Sequence, residues 1–148
     1  MKVLVAMDGS PVSLRAGREA VRLFPDADFL MIKVTQLNIP WMVGGEFGMV
    51  YPTTSTDLML DRPDSAELRE LADTAGLDDA KVLNPVGDPG TAICEAAELH
   101  DADVVVVGSH DRGVLSRLVS PSVADAVVHG TSRPVLVISG APSDAPTD

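Results

Sequence analysis

Short apolar runs alternate along the chain with stretches whose apolar residues recur every third or fourth position. Residues 2–7 (KVLVAM) are apolar and β-branched, and Asp8-Gly9-Ser10-Pro11 cuts them off. That pattern predicts a buried strand and then a turn. Ser10 suits a helix N-cap, with Pro11 at the first helical position. Leu14, Gly17, Val21 and Phe24 follow at helical spacing, with Arg15, Arg18 and Arg22 on other faces, until Pro25-Asp26. Residues 29–34 (FLMIKV) predict a second strand. A helix is expected over 63–75, with Leu68, Leu71, Ala72 and Ala75 as its apolar stripe and Gly76 at C′. Residues 81–86 read as a third strand, interrupted by Asn84-Pro85 and therefore an edge strand. Asp88-Pro89 repeats the cap-plus-proline signature and opens a helix to His100, with Ile93, Ala96, Ala97 and His100 facing inward. The run of valines within 103–107 (DVVVV) implies a strand buried on both faces. Ser120-Pro121 opens a last helix through Val123, Ala126 and Val127 to Gly130, and 134–138 (PVLVI) is the final strand.

Strands that alternate with helices imply an α/β fold: an open parallel sheet with helices on both faces. Residues 37–62 break the rhythm, being far longer than the ~2–6 residues of an ordinary βα loop. They hold Trp41, Phe47 and Tyr51 together with Met42, Met49 and Met59. Such a flap could cover the sheet end, pack on a partner or act as a ligand lid; its composition alone names no ligand. The Ala/Pro/Ser/Asp tail, 141–148, is expected to fray. One domain over 1–140 results.

Composition sharpens this. A chain of 148 residues holds one domain and buries roughly two-thirds of its unfolded surface without a disulfide or metal staple. Its 45% apolar content is too high for general disorder. The formal net charge of −11 argues against nucleic acid, which needs a basic face, and against an anionic membrane surface. Cys94 is the sole cysteine, which fits a reducing cytoplasm. The apolar start meets Asp8 before a signal-peptide core could form, and no apolar run approaches the ~18 residues of a membrane span.

In an open parallel sheet, ligands bind beyond the carboxyl ends of strands, at the point where the strand order reverses. Three such ends are marked by glycine: Asp8-Gly9-Ser10, Gly87-Asp88-Pro89 and Gly108-Ser109-His110. Each approaches a helix N-terminus, where unpaired N–H groups favour an anion. A nucleotide or phosphate site is one reading; glycines that merely permit sharp turns are the other, and motifs this loose leave both open. Catalysis finds little support. His110 and Asp111 are neighbours in sequence and need not converge, and Ser109 has no identifiable oxyanion donor, so no catalytic residue is assigned. His100, His110 and His129 lack metal-ligand spacing, and one cysteine makes no zinc site. Nothing beside Cys94 in sequence suggests a low thiol pKa. A phosphorelay receiver would need paired acids after the first strand, an Asp ending the third and a Lys ending the last. The chain offers Asp8 alone, Val86 and Ser139.

Residues 108–124 (GSHDRGVLSRLVSPSVA) followed by 133–138 (RPVLVI) resemble the universal stress protein family. So do 3–10 (VLVAMDGS), and 86–93 leading into 102–108 (ADVVVVG). The resemblance covers nearly the whole chain except the flap and the tail. It implies a Rossmann-like five-stranded sheet of order 3-2-1-4-5 and homodimers formed through strand 134–138; pairing would also cover an apolar edge. Family members that bind ATP carry Gly-x2-Gly-x9-Gly-[Ser/Thr] after the fourth strand. Gly108 and Ser122 match that pattern, whereas Asp111 and Pro121 stand where its second and third glycines belong. Asp111 brings a side chain and a negative charge toward a polyanion, and Pro121 removes an N–H donor. A lost charge-assisted hydrogen bond costs roughly 1.5–3 kcal/mol. Arg112 and Gly113 could offset part of that.

The resemblance further implies that Asp8 meets the adenosine end of a ligand and that the backbone at Val34 reads adenine. The candidate nucleotide set is thus Asp8, Gly9, Ser10, Val34, Gly87, Gly108, Ser109, Arg112, Gly113 and Ser122. ATP or another adenine nucleotide with Mg is the cofactor in prospect. A regulatory or protective stress-response protein is expected, with weak or absent ATP binding and no turnover. The alternatives are an ATP-binding switch or slow ATPase of the same family, and a dimeric interaction module acting through 37–62.

Overall fold

The computed structural model describes residues 1–36, 66–109 and 123–140. The 37–62 flap, the expected helix openings at Pro63 and Ser120-Pro121, and the 141–148 tail lie outside the described residues.

Strand β1 (Lys2–Ala6) is the hub. Val3, Leu4 and Val5 are completely buried. Successive side chains point to opposite faces, so Val3 and Val5 enter one core cluster and Leu4 the other. A strand covered on both sides must be apolar at every position, which is why this run shows no alternation. It pairs in parallel with β2 (Asp28–Ile32) and with β4 (Val104–Ser109). β3 (Lys81–Leu83) flanks β2, and β5 (Val135–Ser139) flanks β4. The sheet order is β3-β2-β1-β4-β5, as expected.

Helices α1 (Pro11–Leu23) and α2 (Ala66–Thr74) bury Ala16, Ala20, Leu68 and Ala72 on one face. On the other face α3 (Pro89–Leu99) and α4 (Val123–Gly130) bury Ile93, Ala96, Ala97, Ala124 and Val127. The division follows from right-handed crossovers. The chain steps outward from β1 to β3 with its helices on one side, then returns through β4 to β5 with its helices on the other. The direction therefore reverses between β1 and β4.

The strand limits differ from the sequence reading for a chemical reason. β3 stops at Leu83 rather than running to 86, although Lys33 N–H still donates to Leu83 O and Thr35 N–H to Pro85 O, both at 2.9 Å. In this parallel register the next bond would run from residue 85 to Lys33 O, and proline has no N–H to give. The ladder resumes only as an isolated bridge between Thr35 and Val86. β2 correspondingly ends at Ile32, short of the expected Val34.

Helix ends behave as their residues dictate. α2 closes with Leu77 N–H bonded to Ala72 O at 2.8 Å and Gly76 N–H to Asp73 O at 3.0 Å, with Gly76 at φ +77°. This is the Schellman arrangement that a C′ glycine permits. α3 closes in the same way: Ala102 N–H reaches Ala97 O at 2.9 Å and Asp101 N–H reaches Glu98 O at 3.2 Å. Here Asp101 occupies the left-handed position, at φ 52°.

Candidate functional site

A cleft of about 240 Å³ opens at the carboxyl ends of β1 and β4, at the reversal of strand order where such a sheet holds ligands. Met7 and Asp8 from the end of β1 and Val107 and Gly108 from β4 form its floor. The first turn of α1 stands on one side, Pro89 and Ile93 of α3 with Val123 and Ala124 of α4 on the other, and Ile32 and Gln36 close the β2 side. Its volume lies below the ~300–1,000 Å³ usual for small-molecule sites. A larger hollow of about 550 Å³ lies at the opposite end of the sheet, between Lys2, Asp28, Phe29, Asp79 and Lys81. It has mixed charge and sits at the amino ends of β2 and β3, away from the reversal point.

The wall made by α1 is a closed hydrogen-bond circuit. Ser10 caps the helix by accepting from Ser13 N–H at 3.3 Å, and Ser13 Oγ donates to Ser10 O at 2.9 Å. Asp8 Oδ1 accepts from Ser10 N–H at 2.8 Å, and Asp8 N–H donates to Ser13 Oγ at 3.4 Å. Ser13 is 4% exposed, so its hydroxyl needs partners, and this circuit supplies them. Gly9, at φ +85°, makes the turn possible. α3 is capped in the same manner: Asp88 Oδ2 accepts from both Thr91 N–H and Thr91 Oγ, each at 2.9 Å. The N-termini of α1 and α3 are thus answered by their own side chains, a serine oxygen at α1 and a carboxylate at α3.

The other expected positions fall as follows. Gly108 lies on the cleft floor, where a Cβ would stand 3.1 Å from Val12 C and O and 3.3 Å from Ser13 N. It lets the end of β4 touch the backbone of α1. Gly87, at φ +152°, donates to Thr35 O at 3.0 Å and ends the β2–β3 bridge. Ser109 pairs with Ser139, and its carbonyl accepts from Gly140 N–H at 3.1 Å, so it belongs to the β4–β5 ladder. Thr35 uses both backbone groups toward β3, so by alternation Val34 turns its N–H and C=O toward the β1 side. The last β1–β2 bond there is Met7 N–H to Ile32 O, at 2.9 Å. Among the described residues neither backbone group of Val34 has a backbone partner. Arg112, Gly113 and Ser122, with Asp111, Pro121 and His110, lie outside the described residues.

Gln36 is a cleft residue that the sequence reading left unassigned. Its signal was the period of two that runs on from Ile32 through Val34, both packed on the α3 side of the sheet. Cys94 lies partly buried on α3, its Sγ facing Val127 O at 3.9 Å. Burial raises its thiol pKa, and the charges of Glu98, Asp88 and Glu95 add to the rise. His129 Nδ1 lies 2.7 Å from Asp125 O on its own helix. Among the described residues no group of His, Cys, Asp and Glu is arranged to hold a metal, and no helix is long and apolar enough to cross a membrane.

Known proteins show the same organisation. The family model described as the universal stress protein family matches residues 1–139. A universal stress protein of Methanocaldococcus jannaschii is 26% identical over 145 residues, covering 93% of this chain and 81% of its own length. A solved universal stress protein in complex with cAMP matches at TM-score 0.63 and 26% identity, over 93% of this chain and 95% of that one. The universal stress protein from Archaeoglobus fulgidus in complex with dAMP matches at TM-score 0.53 and 21% identity, over 93% and 97% of the two chains. At that identity the second structure speaks for the fold alone.

Proposed function

The chain belongs to the universal stress protein family, and from that premise we propose that it is a stress-response regulator that holds an adenine nucleotide weakly in the β1–β4 cleft. It binds ATP poorly or not at all and does not turn it over. The observation that carries this reading is the capping of α1 and α3, two of the helices that line the cleft, by their own side chains. One first-turn N–H at each helix, Ser13 at α1 and Thr91 at α3, is thereby withdrawn from a phosphate, and at α3 its partner is a carboxylate. Asp111 and Pro121, in place of two glycines of the family's ATP motif, act in the same direction. The backbone of Val34, turned toward the space beyond the end of β1, supports retention of an adenine. A relative of 26% identity solved with cAMP supports a ligand with one phosphate.

In this reading Asp8 and Val34 serve the adenosine end. Gly9, Ser10, Gly87, Gly108 and Ser109, with Arg112, Gly113 and Ser122, surround the phosphate end, where Mg would accompany a longer phosphate chain. The chain works as a homodimer through β5, the sheet edge beside β4. A cytoplasmic setting is supported by the lone Cys94.

The test is the double variant Asp111→Gly with Pro121→Gly, titrated with Mg-ATP. It is expected to bind at least about tenfold more tightly than the unmodified chain, as restored charge-assisted hydrogen bonds would give. No gain would show that these positions do not face the phosphates. Phosphate release by the unmodified chain would favour the slow ATPase instead.

A further inference from the structure

We propose that Gln36 is the side chain that reads the nucleobase in this cleft, pairing with the N6 and N7 edge of adenine. The inference rests on the adenine-nucleotide reading and deepens it.

The walls of the cleft are mostly apolar, with Met7, Val12, Ile32, Ile93 and Val107 among their residues. Its polar side chains are Asp8, Ser10, Ser13 and Gln36. The first three belong to the hydrogen-bond circuit at the start of α1. The Gln36 amide has no hydrogen-bond partner among the described residues. It therefore offers two donors and an acceptor beside an apolar slot. Its place along the strand matters as much as its chemistry. Residues 32, 34 and 36 share one face, and Ile32 packs in the cluster that contains Ile93 and Val107. Gln36 thus lies one strand repeat beyond Val34, whose backbone groups turn toward the β1 side. A flat ring seated on Ile32 and Ile93, with one edge on the Val34 backbone, presents its adjoining edge to position 36.

A carboxamide matches adenine there in both directions. Gln Oε1 accepts from the N6 amino group while Nε2 donates to N7, the bidentate pattern by which Gln and Asn select adenine. Hypoxanthine carries an oxygen at position 6. Gln36 could turn its amide toward that oxygen, but then N7 would lose its donor. The donor to N7 is thus the contact specific to this geometry.

The experiment is a chemical double-mutant cycle, read by calorimetric titration of the full chain. The ligands are AMP and 7-deaza-AMP, which lacks N7; the proteins are the unmodified chain and Gln36→Leu. The unmodified chain is expected to lose about tenfold in affinity when N7 is removed. Gln36→Leu should lose a similar factor toward AMP and lose nothing further toward 7-deaza-AMP. Independent, multiplying losses would overturn the pairing, as would a Gln36→Leu chain that binds AMP as well as the unmodified chain does. Circular dichroism and thermal melting of Gln36→Leu, expected to be unchanged, separate a lost contact from a lost fold. If the unmodified chain binds no AMP at all, the adenine-nucleotide reading fails and this one with it. If AMP binds and position 36 is silent, only this one fails.

Discussion

A methyl group added at position 108 would stand 3.1 Å from the C and O atoms of Val12. Backbone atoms in a capped first helical turn cannot yield cheaply. Gly108→Ala is therefore expected to lower stability by about 1–3 kcal/mol, as overpacking does, seen as a lower urea midpoint with an unchanged slope. Weak nucleotide binding by that variant would then not by itself report a phosphate contact. Asp101 gives a prediction in the other direction. Its left-handed backbone costs an ordinary residue roughly 1–2 kcal/mol. Asp101→Val should lose about that much in a denaturant titration, whereas Asp101→Gly should hold the stability of the parent. At this scale the sequence disclosed what is local. Ser10 and Asp88 were readable as caps because each partner lies three residues on. Gly108 matched a motif, but its packing partner, the start of α1, lies at the far end of the chain and leaves no trace in the local pattern. Gln36 was hidden because it falls between the expected strand end at 34 and the flap from 37, while its backbone still followed the strand period.

Elements are joined by a few polar clasps. Arg133, just before β5, donates to Glu98 Oε2 from Nε at 3.2 Å and from Nη2 at 2.9 Å, and to Ala102 O from Nη1 at 3.2 Å. Ser132 Oγ also donates to Glu98, at 2.9 Å. The hydrogen bonds from Arg133 and then Ser132 hold the Glu98 carboxyl below its ordinary pKa. A carboxyl with a lowered folded pKa stabilises the fold fully above its unfolded pKa, and that contribution is lost as pH falls through the folded value. Glu98→Gln should thus be less stable than the parent near neutral pH. The gap should narrow as pH drops below the glutamate range, as acid titration of urea midpoints would show. A gap independent of pH would mean that Glu98 acts by packing alone. Removing the α3 cap, Asp88→Ala, should cost about 0.5–2 kcal/mol. Element order and type were legible because proline after Ser10 and after Asp88 punctuates the chain and unbroken valines mark β4. The limits of β2 and β3 were not. They depend on the register that sets the missing N–H of Pro85 opposite Lys33, and register is a property of two strands.

For the whole molecule, the sheet order was legible through the family resemblance and the alternation, and the reversal between β1 and β4 then locates the cleft. The charge of −11 served first to exclude polyanions as large partners. Near the cleft it takes a local form, with Asp8 on the floor and Asp88 at the adjacent helix end. Assembly belongs to this scale as well. β5 borders the sheet with Val137 39% exposed, and an apolar edge of that kind invites a second strand. If homodimers form there, Val137→Lys should sediment as a monomer; an unchanged dimer would move the interface elsewhere. Nucleotide preference is decided by calorimetric titration of the unmodified chain with AMP and with Mg-ATP under the same conditions. AMP is expected to bind weakly, and Mg-ATP more weakly still or not at all. Sub-micromolar binding of Mg-ATP would contradict it, showing that the capped helices, Asp111 and Pro121 do not keep a triphosphate out.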